Sequence, residues 1–205
     1  MIPKKITWEE IREEAEKFRK YFVKPTHLVP VPIEEIVEFK LGLIIEPINK
    51  LKQKIDIDGF LSNDLTTIFV DNDLYKDQRY ENRIRFTLAH EVGHFILHKE
   101  EIQGMKFRTT NEWLNFRENF SEENLSWFEQ QANEFAGRLL VPKQRLIVEL
   151  EKLKPKITEY LDTIGNDSDE ELVEALSRLI NNIFCVSERV IYRRIKTEKI
   201  LNELN

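Results

Sequence analysis

Cysteine occurs once in the 205 residues, at Cys185, so the chain can form no internal disulfide and no metal site built from several thiolates. No run of about 18 apolar residues is present to cross a bilayer. The opening MIPKKITWEEIREE is charged within its first turns and lacks an apolar signal core. These absences point to a cytoplasmic protein with no membrane partner. An excess of positive charge is missing as well. Lys and Arg number 31 against 37 Asp and Glu, a net charge of -6, which removes the electrostatic reason to expect the whole chain on nucleic acid. What remains is ordinary: 41% hydrophobic and 33% charged residues describe a globular protein, long enough for one domain with an appendage or two small domains.

Histidine is also scarce, with four residues, and three of them fall in one informative stretch, RFTLAHEVGHFILH from Arg85 to His98. His90, Glu91 and His94 spell H-E-x-x-H. On a helix of 3.6 residues per turn, His90 and His94 lie about 40° apart on one face, so two imidazoles can reach one ion, while Glu91 projects about 100° round from His90, beside a water on that ion. Neutral imidazole is a good zinc ligand, and a nearby carboxylate can take a proton from water. The alternative is a solvated pair of histidines on a helix surface. Phe86, Leu88, Ala89, Val92, Phe95, Ile96 and Leu97 argue against it, because they make the segment apolar nearly all round and leave the polar triplet in a buried helix that needs partners.

Ahead of this helix, Thr7 and Glu10 form a capping box for an amphipathic helix carrying Trp8, Ile11, Ala15, Phe18 and Phe22. His27 follows in a proline-punctuated segment and reads as structural or solvated. Pro32 suits the first turn of a short helix that Gly42 can close in a left-handed conformation. Leu43–Glu46, Gly59–Ser62 and Leu65–Val70 have strand character, with Asn63-Asp64 as a tight turn, predicting a small, mostly antiparallel sheet. If one of its edges faces the metal, an extended peptide can bind there as an added strand. Residues 71–77 read as a polar loop, and the helix bearing the motif is predicted from about Gln78 to His98. Arg83 and Arg85, in its early turns, read as solvated or ion-paired rather than as substrate contacts. His98 drifts out of reach of the metal and has a helix-terminal dipole rationale of its own.

A catalytic zinc takes three protein ligands and keeps one position open. The three-histidine pattern H-E-x-x-H-x-x-G-x-x-H is excluded, since Leu97 and Glu100 stand where it needs glycine and histidine. The best-placed carboxylate is Glu129, in SWFEQQANEFAGRLLVP, on a second helix with Phe128, Ala132, Phe135 and Leu139 along one face. Ser126-x-x-Glu129 is also a capping box, in which the carboxylate would return to the backbone. The residues alone leave both readings open. Asn133, one turn along, can receive the outer N–H of a ligating histidine.

RFTLAHEVGHFILH followed by E-x-x-A-N-x-F-A-x-x-L-L-x-P, here Glu129 to Pro142, resembles the ImmA/IrrE family of zinc metallopeptidases, over roughly residues 31–142. The resemblance implies a gluzincin-like α+β fold, in which the small sheet packs on the motif helix and a second ligand-bearing helix. It further implies His90, His94 and Glu129 as ligands of Zn2+, Glu91 as general base, and a helix-turn-helix repressor as protein substrate in a bacterial or mobile-element switch. The interval 99–128 departs from a minimal version of that fold. Its Phe107, Trp113, Phe116, Phe120 and Trp127 read as a packing helical hairpin in preference to a lid.

After Pro142 the pattern is helical, with starts at Pro142 and Pro155 and an end at Gly165. The polar run from Asn166 divides the chain into a metallopeptidase domain, 1–165, and a helical tail, 166–205. Ser168 and Glu171 form a capping box, and Ser187 caps a last helix, giving the tail the look of a helix-turn-helix. Cys185 in place of a turn glycine and the mixed charge of the last helix favour packing over nucleic-acid contact. The reading is a zinc-dependent endopeptidase. The alternative from another class is a zinc-containing regulator that binds a repressor or DNA without cutting.

Overall fold

The computed structural model describes residues 4–104, 112, 121–164 and 169–203. Its first helix, α1 (Trp8–Phe22), opens with the expected capping box. The Thr7 hydroxyl accepts from the Glu10 N–H at 3.2 Å, and the Glu10 carboxylate accepts from the Thr7 N–H at 2.7 Å, satisfying donors that a helix start leaves unpaired. Ile11, Ala15 and Phe18 are its buried stripe. Next, α2 (Ile33–Glu35) continues into a π-helical turn over Ile36–Lys40. Gly42, at φ +67°, then turns the chain toward the sheet in the left-handed conformation its type permits.

Three strands follow, β1 (Ile44–Ile48), β2 (Gly59–Leu61) and β3 (Thr67–Asp71), in the order β1-β3-β2, with α3 (Leu51–Ile55) between the first two. β2 and β3 form the antiparallel hairpin expected around Asn63-Asp64. The Leu65 N–H bonds back to the Ser62 carbonyl at 3.0 Å, and the Asp64 carboxylate accepts from the Ser62 hydroxyl at 2.6 Å and the Thr66 N–H at 3.1 Å. These local acceptors replace the missing turn glycine. β1 pairs with β3 in parallel, so the sheet is mixed where the hairpin signal alone suggests a mostly antiparallel one. β3 enters between two strands that run in opposite directions and must be parallel to one of them. The stretch 71–77 is likewise more ordered than a loop. Asp71 caps α4 (Asn72–Lys76), accepting from the Asp73 and Leu74 N–H groups at 3.0 and 3.1 Å, while its other oxygen takes the Lys52 N–H at 2.9 Å.

The motif helix, α5 (Glu81–Leu97), is followed by α6 (Lys99–Gly104), α7 (Glu122–Leu140), α8 (Lys143–Glu151), α9 (Lys154–Ile164), α10 (Asp169–Phe184) and α11 (Glu188–Glu198). α5 lies between the sheet and α7, and α7 packs in turn on α1, where the Phe18 and Phe135 rings meet edge to face at 5.8 Å. Leu88, Ala89 and Val92 of α5 and Ala132, Phe135, Ala136 and Leu139 of α7 are fully buried. A Cβ added at Gly93 would sit 3.0 Å from the Ala132 carbonyl oxygen and 3.1 Å from its Cα. The two helices therefore touch backbone to backbone, in the same turn that separates His90 from His94. Phe107, Trp113, Phe116 and Phe120 lie outside the described residues, as do the expected helix end at Gly165 and the cap at Ser168. Trp127 falls on α7 and faces Trp8 at 5.8 Å between ring centroids.

α10 and α11 pack on each other through a turn in which Cys185 takes φ +50°, the left-handed position where glycine is the usual occupant. Ser187 stands at the N-cap of α11, although its side chain makes no capping bond. The turn is tied to α5: Asn82 donates to the Val186 carbonyl at 3.2 Å, and Arg85 donates to the Cys185 carbonyl at 3.3 Å and the Val31 carbonyl at 2.6 Å. Part of the mixed charge of α11 is used in packing. Glu198 pairs with Arg194 at 2.9 Å, with Arg12 of α1 at 3.3 Å and with Arg138 of α7, while Arg194 donates to the Val141 carbonyl at 3.1 Å.

Two predictions follow from this packing. Gly93→Ala forces backbone apart where neither side can rotate away, and should destabilise the protein by about 1–3 kcal/mol; an unchanged urea midpoint would show that the helices have slack there. Glu198→Gln leaves buried guanidinium groups short of a counter-charge. It should lower stability by about 3 kcal/mol, the low end for a broken buried pair, because Glu134 still faces both Arg138 and Arg194.

Candidate metal centre

His90 and His94 stand one turn apart on α5, with their Nε2 atoms 3.0 Å apart, and Glu129 Oε2 of α7 lies 3.1 Å from the first and 3.9 Å from the second. Among the described residues these three form a group whose ligand atoms all lie within 4.8 Å of one another, and which could hold a metal ion. Two nitrogens and one carboxylate oxygen converging from two helices are the donor set of a three-ligand site with a fourth position to spare.

The competing account of Glu129 fails on the position of the helix start. α7 begins at Glu122 and is capped by Ser121, whose hydroxyl accepts from the Asn124 N–H at 3.3 Å. Glu129 is thus two turns into the helix rather than at its third residue. Ser126 instead accepts from the Gln130 side chain at 2.8 Å, and the Glu129 carboxylate is left to face the imidazoles.

Asn133 of α7 stands beside the His90 ring. Its Oδ1 is 3.1 Å from His90 Nδ1, and since an amide oxygen only accepts, His90 as a neutral ring carries its proton there and turns a lone pair inward at Nε2. Glu91 is buried at the base of the same cleft, and its carboxylate accepts from the Leu61 N–H of β2. Burial raises its pKa, with positive charge on His90 and His94 acting in the opposite sense.

Sequence reasoning missed the role of His98. Far from being a charged helix terminus, it is fully buried, stacked on Phe128 at 4.1 Å between centroids, and its Nδ1 is 2.9 Å from His94 Nδ1. Its Nε2 is 2.8 Å from Gln131 Oε1. Burial pushes its pKa down to about 3, so the ring is neutral. The available signal was the four-residue spacing from His94, which aligns the two rings whether or not both can reach an ion. His27, Tyr80 and Arg83 do not line the cleft that holds these residues. His27 is exposed and Tyr80 lies beside Arg79, while Arg83 is paired with Asp58 at 2.7 and 2.8 Å, the ion-paired role expected of it.

The group opens into a cleft of about 320 Å³, lined by Phe60, Phe86 and Phe128 beside its polar residues. β2 forms one lip. The Asp71 N–H bonds the Asp58 carbonyl, and the Ser62 N–H bonds the Thr67 carbonyl, each at 2.8 Å. In an antiparallel ladder the facing groups alternate, so Gly59 and Leu61 turn their backbone groups away from β3. The contact of Leu61 with Glu91 sets that outer edge on the side of the histidines.

A family model described as IrrE N-terminal-like domain, peptidase M78, matches residues 74–196. The chain belongs to this family. The match takes in both helices of the His-His-Glu group and runs on through most of α11, so peptidase M78 membership covers a longer C-terminal stretch than the two motifs do. No curated protein matches the chain. The family is one of metallopeptidases, and among the described residues no helix is long and apolar enough to cross a membrane.

Without a metal, the M78 centre is held by a proton. Burial opposes charge on His90, yet the adjacent Glu129 carboxylate, aided by Glu91, raises its pKa to about 9. Burial alone would raise Glu129, but the hydrogen bonds and charge of His90 and His94 hold it well below the usual carboxylate range. Histidine has an unfolded pKa of about 6.5, so this contribution to stability is complete below that pH and is lost as pH climbs through about 9. Thermal midpoints of chelator-treated protein should therefore fall between pH 6.5 and 9. A flat profile over that window would contradict a protonated His90.

Proposed function

We propose that the chain is a zinc-dependent endopeptidase that cleaves a helix-turn-helix transcriptional repressor in the cytoplasm, as part of a bacterial or mobile-element regulatory switch. The observation that carries this reading is the convergence of His90, His94 and Glu129 beside Glu91 and the outward edge of β2. Two imidazoles and a carboxylate fit zinc in donor type and number. The outer nitrogen of each histidine is engaged by Asn133 or His98, leaving Nε2 to face the ion position.

Zinc in this donor set supplies Lewis acidity, which polarises a scissile carbonyl and lets water ionise near neutral pH. The chain's own residues do the rest. The outward groups of Gly59 and the outward carbonyl of Leu61 take an extended peptide as an added strand, which sets one amide at a fixed height beside Glu91. Glu91 accepts the proton of the attacking water and returns it to the leaving amine. Its burial favours the protonated form midway through that exchange, and the Leu61 N–H keeps the carboxylate oriented. The cleft's aromatic wall suits an apolar side chain of the substrate.

Glu91→Gln should keep zinc and the fold while turnover falls at least 100-fold, the order expected for loss of a general base; near-normal activity would refute the assignment. His90→Ala should lose the metal, and with it the tie between α5 and α7. A helix-turn-helix repressor that is a substrate, incubated with zinc-loaded protein, should yield discrete fragments that a chelator suppresses. A stable, uncut complex would instead identify a regulator that binds without cutting.

A further inference from the structure

Two side chains behind the centre, His98 and Gln131, are fully buried and polar, and the proposed chemistry uses neither directly. Their hydrogen bonds have a direction that can be read from end to end. The Gln131 side-chain nitrogen faces the Lys4 carbonyl at 3.4 Å and the Ile6 carbonyl at 3.5 Å. Carbonyl oxygens only accept, so the amide must turn its NH2 toward them and its oxygen toward His98. That oxygen, 2.8 Å from His98 Nε2, can only receive a proton, which places one on Nε2. A neutral imidazole carries a single N–H, so His98 Nδ1 is bare and accepts from His94 Nδ1 across 2.9 Å. His94 then has its proton on the outer nitrogen and its lone pair on Nε2, facing His90 and Glu129.

We infer that His98 and Gln131 are positioning residues, which together with the Lys4 and Ile6 carbonyls hold His94 in the tautomer that can ligate a metal. The N-terminal segment is thereby part of the centre's support, and it is itself pinned where the Lys4 N–H meets the Glu101 carboxylate at 3.1 Å. The two ligating histidines are oriented by different means. His90 leans on one amide from the facing helix, whereas His94 depends on a second imidazole that is set by Gln131, whose own amide is oriented by carbonyls 127 and 125 positions earlier in the chain. The tautomer assignment stands on the hydrogen bonds and on the full burial that keeps His98 neutral; its effect on metal affinity rests on the reading of this group as a zinc site.

The test has two arms. In the first, long-range 1H–15N NMR of the unsubstituted, metal-free protein should show His98 protonated at Nε2 and bare at Nδ1; a proton on His98 Nδ1 overturns the inference. In the second, zinc affinity is measured by competition with a chromophoric chelator. His98→Phe keeps the stacking on Phe128 but removes the acceptor, and should weaken zinc binding 10–100-fold, the usual range for loss of such a support. His98→Asn returns an acceptor oxygen near the Nδ1 position and should recover most of that loss, which a merely space-filling role would not predict. Unweakened binding by folded His98→Phe overturns the inference. Should that variant fail to fold, the NMR arm decides alone. Should the unsubstituted chain bind no zinc, the metal reading fails, and the tautomer is still decided.

Discussion

The backbone contact between α5 and α7 at Gly93 and Ala132 is the constraint from which the centre takes its geometry. Side chains at a helix contact ordinarily space the two axes, by about 8–10 Å, and whether histidine and glutamate side chains on separate helices meet at one point depends on that spacing. A hydrogen at position 93 and a methyl at position 132 remove that spacer. The surrounding residues maintain the approach without contributing chemistry. Phe135 and Leu139 anchor α7 against α1, and the sheet presses on the other face of α5, so the helix carrying the histidines is held from both sides.

Electrostatics complete what packing begins. The centre gathers two carboxylates and three imidazoles in a region where burial penalises any isolated charge, and it avoids the penalty by sharing. His90 and Glu129 neutralise one another, His98 stays uncharged, and Glu91 takes a backbone N–H from β2. A divalent ion entering this group competes with one proton for the same lone pairs, so metal occupancy and proton occupancy are alternatives at a single location. The same arrangement explains why β2 sits where it does. Gly59 approaches Thr87 of α5 so closely that an added Cβ would lie 2.9 Å from its methyl group, which brings the outward edge of the strand down to the level of Glu91.

Much of this was legible in the residues because it depends on spacing along one helix. H-E-x-x-H, the Thr7–Glu10 cap and the left-handed Gly42 are all local statements. The role of Glu129 was not local, and its capping alternative failed only because α7 starts five residues earlier, at a serine followed by Asn124 and not by the glutamate that would have advertised a cap. The parallel pairing of β1 escaped for a related reason: strand neighbours are chosen by tertiary packing, and three short apolar runs carry no record of their order. His98 was visible but misread. Its spacing from His94 was weighed only for direct metal contact, and the partner that gives it a purpose, Gln131, is on another helix.

The polar partners of α5 and α7 do not all come from the part of the chain that carries the cleft. Arg85 and Asn82 bond to the carbonyls of Cys185 and Val186, and Arg138 pairs with Glu198. Any attempt to trim the protein to a minimal fragment at the polar run near residue 166 would therefore take from Arg138 one of its two carboxylate partners and bare the first turns of the motif helix. The two closing helices serve as a buttress, and shortening the gene from its 3′ end would unsettle the His90, His94 and Glu129 group without removing any of the three.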